Sequence, residues 1–348
     1  MRLMKRYFMF GLLLVLTITL AACAESSGGA SDGAANAEDG GVIDVVWYPN
    51  ESGSDMKASR DEIGELIKDA TGQEVEHHLT TDYAIAIETI VNNNAELAFM
   101  GAQGYIEANQ RNEKIQPLVV PTGASGTLDD AVYHSWLAVN IDDQEAYKKD
   151  GDFSLDTIAD KKMSFVSNSS TSGFKVPASG IISHFTDKEL EETDLMEGGP
   201  LFSQVLFGNS HQGSAVNLLN GNADVAAFCD TCVENYVELV EGEPNRAGSV
   251  YRVKDDASEP FNTVKGKEFI LISVTPVLNA PFVGNMDLLG EEGFKKLQEY
   301  FSSDDVANNE KIFVPEDSNE SALFFKSGDE RFAPVEDKWF DPIRELSK

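Results

Sequence analysis

Between Ser167 and Phe174 the chain reads Ser167-Asn168-Ser169-Ser170-Thr171-Ser172-Gly173-Phe174, a run of hydroxyls beside a glycine. Such side chains donate hydrogen bonds without carrying charge, and Gly173 lets the backbone come close to a ligand. The run follows an apolar, strand-like stretch (Met163–Val166) and precedes a helix-like one. Its amides therefore stand at a helix N-terminus, where orphan N–H groups and the helix dipole favour negative charge. The chemistry implied is capture of an anion. Taken alone, the same run also reads as a polar loop with a serine N-cap.

Other residues carry chemistry less directly. Tyr83 stands one residue into a predicted helix, where it serves either packing or donation. His211 follows a strand and is either a satisfied loop residue or a donor whose charge responds to pH. His77-His78 has no third ligand nearby and reads as a solvated strand end. Cys229 and Cys232 form a C-x-x-C pair, but no second C-x-x-C or H-x-x-H completes a metal site. A local disulfide and two packed thiols both remain open. From Val42 onward no Gly-x-Ser-x-Gly, clustered Asp/His set or nucleophile–base spacing appears, so no enzyme, cofactor or metal is expected.

The elements that position these residues alternate. Val42–Trp47 is a strand stopped by Pro49, residues 55–71 are a helix closed by Gly72, and 74–79 form a strand. Asp82 caps a helix through Ile90, and 96–100, 115–120 and 132–139 are further strands. After a loop at 141–160 come a strand at 163–166, a helix at 173–185 and strands at 205–207, 223–228, 250–253 and 268–275. A final helix covers 288–301. The alternation implies α/β layers with largely parallel sheets, whose ligand sites lie at the carboxyl ends of strands.

The N-terminus has its own logic. Arg2, Lys5 and Arg6 precede an apolar run from Phe8 to Leu20, ending in Leu20-Ala21-Ala22-Cys23. That is a secretory signal, shorter in its apolar part than the ~20 residues a membrane-spanning helix needs. Leu-Ala-Ala-Cys resembles the lipobox of bacterial lipoproteins, which implies a signal peptide at 1–22 and lipidation (palmitate) of Cys23. Residues 23–41 are small and polar, a flexible linker. The formal charge of −32 argues against nucleic acid and anionic lipid as partners. It does not exclude an anionic ligand, because distant carboxylates are largely screened beyond a Debye length of ~10 Å at 0.1 M salt.

Several stretches together resemble the phosphate/phosphite/phosphonate-binding proteins of ABC transporters. Ser170-Thr171-Ser172-Gly173-Phe174 with Val176-Pro177 looks like that family's Ser-Thr-Ser-Gly-aromatic-x-Val-Pro signature. Thr81-Asp82-Tyr83-Ala84 through Ala98-Phe99-Met100-Gly101 is similar to its Asp-Tyr-helix-strand-Gly segment. Phe207 to His211, followed by Gly221-Asn222-Ala223-Asp224-Val225-Ala226-Ala227, resembles its Ser-His and Gly-x-x-Asp segments. The resemblance implies a two-lobe periplasmic-binding-protein fold (type II-like) with the ligand cleft between lobes. It implies lobe 1 at 42–138 and 270–348, lobe 2 at 139–269, and an ABC permease as partner. It implies ligand contacts at Tyr83, Ser170, Thr171, Ser172 and His211, with Tyr133 or its neighbour His134 as the aromatic, since strand alternation lets only one face the cleft.

Two positions depart from the pattern. Where aminophosphonate-binding members place carboxylates for the ligand's ammonium, this chain has Cys229-Asp230-Thr231-Cys232 and Leu278-Asn279-Ala280-Pro281. Asp230 is then expected to accept the proton of a monoprotonated phosphoryl oxygen, selecting phosphorus acids over sulfate. The reading is a membrane-tethered, extracytoplasmic binding protein for phosphonate, phosphite or phosphate. Its rivals are a binding protein for a sulfonate or another anion, a surface phosphatase, and an adhesin.

Overall fold

Val45, Val46 and Trp47 are all fully buried, on both faces of their strand, as happens where helices cover both sides of a sheet. The computed structural model describes residues 41–318 and 320–346. The expected signal peptide, Cys23 and all of the linker except Gly41 lie outside the described residues.

The described chain begins β1 (Val42–Trp47), α1 (Lys57–Thr71), β2 (Glu74–Leu79), α2 (Tyr83–Val91), β3 (Leu97–Phe99), α3 (Ala102–Arg111) and β4 (Ile115–Pro121). It continues through β5 (Val132–Asn140), the short β6 (Lys148–Lys149) and β7 (Asp152–Phe153), β8 (Lys162–Phe165) and α4 (Val176–His184). Next come β9 (Gln204–Phe207), α5 (His211–Leu219), β10 (Val225–Cys229), β11 (Val237–Glu241), β12 (Val250–Val253) and β13 (Glu268–Leu278). The remainder is β14 (Phe282–Asn285), α6 (Met286–Phe301), α7 (Asp304–Ala307), β15 (Phe313–Pro315), β16 (Phe324–Lys326), β17 (Phe332–Pro334) and α8 (Asp341–Glu345).

Two sheets carry the architecture, in the order β17-β4-β14-β3-β1-β2 and β11-β12-β13-β5-β10-β8-β9. The expected parallel pairing holds for β2–β1–β3 and for β9–β8–β10. Elsewhere the sheets are antiparallel: β14 runs against β3 and β4, and β5 against β10 and β13. The cause is topological, since β5 enters the second sheet from the first and β13 leads back out of it. Both strands belong wholly to the second sheet, so the passages between sheets are 122–131 and 279–281 rather than positions 138 and 269. Asn279 ties the two passages together, donating from Nδ2 to the Pro121 carbonyl (2.8 Å) and from its amide to the Ala131 carbonyl (3.0 Å).

Local signals explain the helix ends. Asp82 accepts the Ala84 amide at 2.7 Å and starts α2, and Gly72 takes the left-handed φ of 79° that closes α1. The helix α3 was not legible in the sequence: it is short and polar, with Gly104 in its first turn. A Cβ at Gly104 would stand 1.8 Å from the Tyr48 hydroxyl, so the glycine lets that tyrosine lie against the helix. Among the described residues, no helix is long and apolar enough to cross a membrane.

Candidate functional site

The elements that end at the cleft share one feature. Tyr83 opens α2, Gly101 caps α3, Ser170 caps the wide π-type turn at 171–175 that leads into α4, and His211 opens α5. All four residues line one cavity of about 120 Å³. Four helix N-termini thus converge there, each with the positive end of its dipole at the cavity. Among the described residues, no lysine or arginine lines the cavity.

The hydroxyl run folds as the spacing predicts. Ser170 Oγ accepts the Gly173 amide at 3.1 Å, a serine cap three residues ahead of its donor. Thr171 Oγ1 accepts the Gln103 amide at 2.9 Å, a bond from the start of α3 across the cleft. Ser172 is not among the residues lining the cavity; its Oγ is buried with no hydrogen-bond partner among the described residues, while its carbonyl accepts Ser135 Oγ at 2.6 Å. Gly173 owes its identity to the wall behind the loop. A Cβ there would lie 2.2 Å from Val166 Cγ2, so the glycine serves the packing of the loop on the strand end rather than an approach to ligand.

His211 is held at three points. Its amide donates to Asn50 Oδ1 (3.1 Å), Nδ1 accepts the Cys229 amide (3.0 Å), and Nε2 lies 3.4 Å from Ser170 Oγ. A backbone N–H can only donate, so Nδ1 is the acceptor and the proton of the neutral ring sits on Nε2, facing the hydroxyl run. Burial pushes His211 down to about 3, so the ring is a neutral donor near pH 7 and its charge changes only in acid.

The tyrosines complete the donor set. Tyr83 is buried and its oxygen accepts Asn50 Nδ2 at 2.7 Å, which leaves its own proton free to donate. Tyr133 is buried on the cavity wall, while its neighbour His134 turns to the other face of β5, as strand alternation requires. Burial pushes both phenols well above their usual range, so both stay protonated donors.

Asp230 is not brought to this cavity. The antiparallel register of β10 on β5 sets it against His134, whose amide and Nδ1 each lie 2.8 Å from its carboxylate, and the Thr231 amide also donates to it. With both oxygens engaged, it is not placed to accept a ligand proton. Cys229 and Cys232 are joined as a disulfide. They stand near His211 with metal-like spacing, but their sulfurs are used by the bridge and His211 Nδ1 by the Cys229 amide. The His77-His78 pair is tied into the first sheet, His77 by Trp47 Nε1 (3.0 Å) and His78 by Asp44 (2.7 Å).

Sequence reasoning missed the residues just after β1. Asn50 is buried and links Tyr83, His211 and, through its carbonyl, Gln212 Nε2 at 3.1 Å. The available signal was its position at the carboxyl end of a strand, the rule that located the other residues.

The chain is similar to known proteins in sequence and in fold. A family model described as the periplasmic phosphonate substrate-binding protein of ABC transporters matches residues 45–340. The phosphate-import protein PhnD of Mycolicibacterium smegmatis is 28% identical over 309 residues, covering 88% of this chain and 84% of the relative. Among solved structures, the binding-protein component of an ABC phosphonate transporter from Pseudomonas aeruginosa superposes with a TM-score of 0.63 at 21% identity, covering 88% and 86% of the two chains. PhnD1 of Prochlorococcus marinus, solved with methylphosphonate, gives 0.61 at 16% identity, covering 88% and 96%.

Proposed function

We infer that this chain, which belongs to the family of periplasmic phosphonate-binding proteins of ABC transporters, holds its phosphorus oxyanion in the cavity where the four helix N-termini meet. That convergence is the observation that carries the reading. Neutral donors stabilise the anion without lysine or arginine, which suits an acidic protein whose ligand must later leave for the permease. The donors that line the cavity are Tyr83, Tyr133, Ser170, Thr171 and His211 Nε2, drawn from both lobes, with Ser172 behind them and the lobes dividing at the passages 122–131 and 279–281. Asp230 belongs to the neighbouring His134 cluster and takes no part.

A thermal-shift panel of methylphosphonate, phosphite, phosphate and methanesulfonate tests the class of ligand: stabilisation by the phosphorus acids and not by the sulfonate is expected. Thr171→Ala is expected to weaken methylphosphonate binding by roughly 1–3 kcal/mol in calorimetry, the range for losing a hydrogen bond to a charged group or leaving its partner unpaired. That substitution also leaves the Gln103 amide without its acceptor across the cleft. An unchanged affinity would remove Thr171 from the site.

The membrane-bound form follows from Leu20-Ala21-Ala22-Cys23. Diacylation of Cys23 provides the two chains that stable anchoring takes. Cys23→Ser is expected to release the protein into the soluble fraction; retention in membranes after a high-salt wash contradicts the anchor.

A further inference from the structure

Two atoms at the cavity do not suit a bare oxyanion. Gln212 Nε2 donates to the carbonyls of Asn50 (3.1 Å) and Cys232 (3.0 Å), which fixes Oε1 as the remaining atom of the amide. That oxygen can only accept, and it is buried without a donor among the described residues. Glu51 Oε2 is likewise buried without a partner, and both residues line the cavity. The nearest guanidinium, Arg60 on α1, is turned to the carbonyls of Glu51 and Gly53. The other titratable groups facing Glu51 are the phenols of Tyr48, Tyr83 and Tyr236, none of them a cation. Burial accordingly pushes the Glu51 carboxyl up to about 8, and a donor brought to Oε2 would favour its ionised, accepting form. An unpaired buried acceptor is destabilising by roughly 1–3 kcal/mol. Two in one cavity are retained most simply if the ligand supplies what they lack.

We propose that Glu51 and Gln212 form an acceptor subsite that takes a hydrogen-bond donor carried by the ligand itself, and that they determine which tetrahedral anions this chain accepts. The inference rests on the phosphorus-oxyanion reading of the same cavity. It gives to Glu51 and Gln212 the selection against donor-free anions that the sequence suggested for Asp230. Two ligand groups can supply the donor: the P–O–H of a singly protonated phosphorus acid, or the N–H of an amino substituent.

Four probes of similar size separate them, titrated calorimetrically into the full-length chain. Methylphosphonate carries P–O–H only, aminomethanesulfonate N–H only, aminomethylphosphonate both, and methanesulfonate neither. Methanesulfonate is expected to bind at least roughly tenfold more weakly than every donor-bearing probe, the loss that one hydrogen bond to a charged group implies. Whichever single-donor probe approaches aminomethylphosphonate identifies the source. Glu51→Gln, which keeps the shape and adds donors, is expected to narrow that gap to within about threefold. Equal binding of all four probes by the unmodified chain overturns the subsite while leaving the anion site standing. So does a Glu51→Gln variant that shifts every probe by one factor. Failure of both phosphonates to bind overturns the oxyanion reading itself, and this inference with it.

Discussion

Replacing His211 with leucine is expected to weaken capture of methylphosphonate about a hundredfold, the largest effect of any single side chain at the site. The ring does two jobs that leucine cannot. Its Nε2–H is a buried donor aimed at the hydroxyl run, and losing a hydrogen bond to a charged ligand is worth about 1.5–3 kcal/mol. Its Nδ1 also accepts the Cys229 amide, which becomes a buried orphan in the variant, destabilising the fold by a further 1–3 kcal/mol or so. Calorimetry reads the first loss and chemical denaturation the second. The histidine has a pH signature as well. Its folded pKa, about 3, lies below its unfolded value near 6.5, so between those values the unfolded chain binds the extra proton. The stability this ring contributes is therefore present above pH 6.5 and is lost as pH falls toward 3, and the leucine variant lacks that part of the acid sensitivity. Wild-type affinity in the leucine variant would exclude His211 from the ligand.

Gly173→Ala is expected to damage fold and binding together. The new methyl would sit 2.2 Å from Val166 Cγ2 and 2.5 Å from its Cβ, and Val166 is fully buried with nowhere to withdraw. Overpacking of this kind is destabilising by about 1–3 kcal/mol. The loop must instead move toward the cavity, carrying Ser170 and Thr171 off their bonds to the Gly173 and Gln103 amides. An affinity loss beyond roughly tenfold is expected, with partial recovery when Val166→Ala removes one of the two clashing contacts. Binding that survives in a destabilised Gly173→Ala protein would show that the loop tolerates displacement.

These two residues illustrate what the sequence revealed and what it withheld. The hydroxyl run was legible because its chemistry is local: cap, turn and helix follow one another within a few residues, and the same local rule found Asp82, whereas strand alternation left Tyr133 and His134 as alternatives. Gly173 was read correctly as a close approach but toward the wrong neighbour, since the partner that forbids a Cβ belongs to the preceding strand end. Asp230 was misassigned because its surroundings depend on the register of β10 against β5, which one strand alone does not specify. Asn50 was missed for a similar reason, its bonds reaching across 161 residues to His211. The helix α3 escaped because its short, polar sequence carries little periodic signal, although its N-terminus supplies the Gln103 amide.

The strand order has a further consequence for how such a chain is made. Every strand of the second sheet comes from one continuous stretch, 132–278, whereas β14 lies between β3 and β4 in the first sheet and β17 covers the edge of β4. During synthesis the middle of the polypeptide can therefore settle early, while the beginning waits, half-assembled, for residues that emerge last. Pairing over such separations is intrinsically slow and leaves apolar strand edges uncovered in the interval. A copy cut short before residue 282 would keep the signature serines and threonine yet lack the strand that joins the halves of its opening sheet.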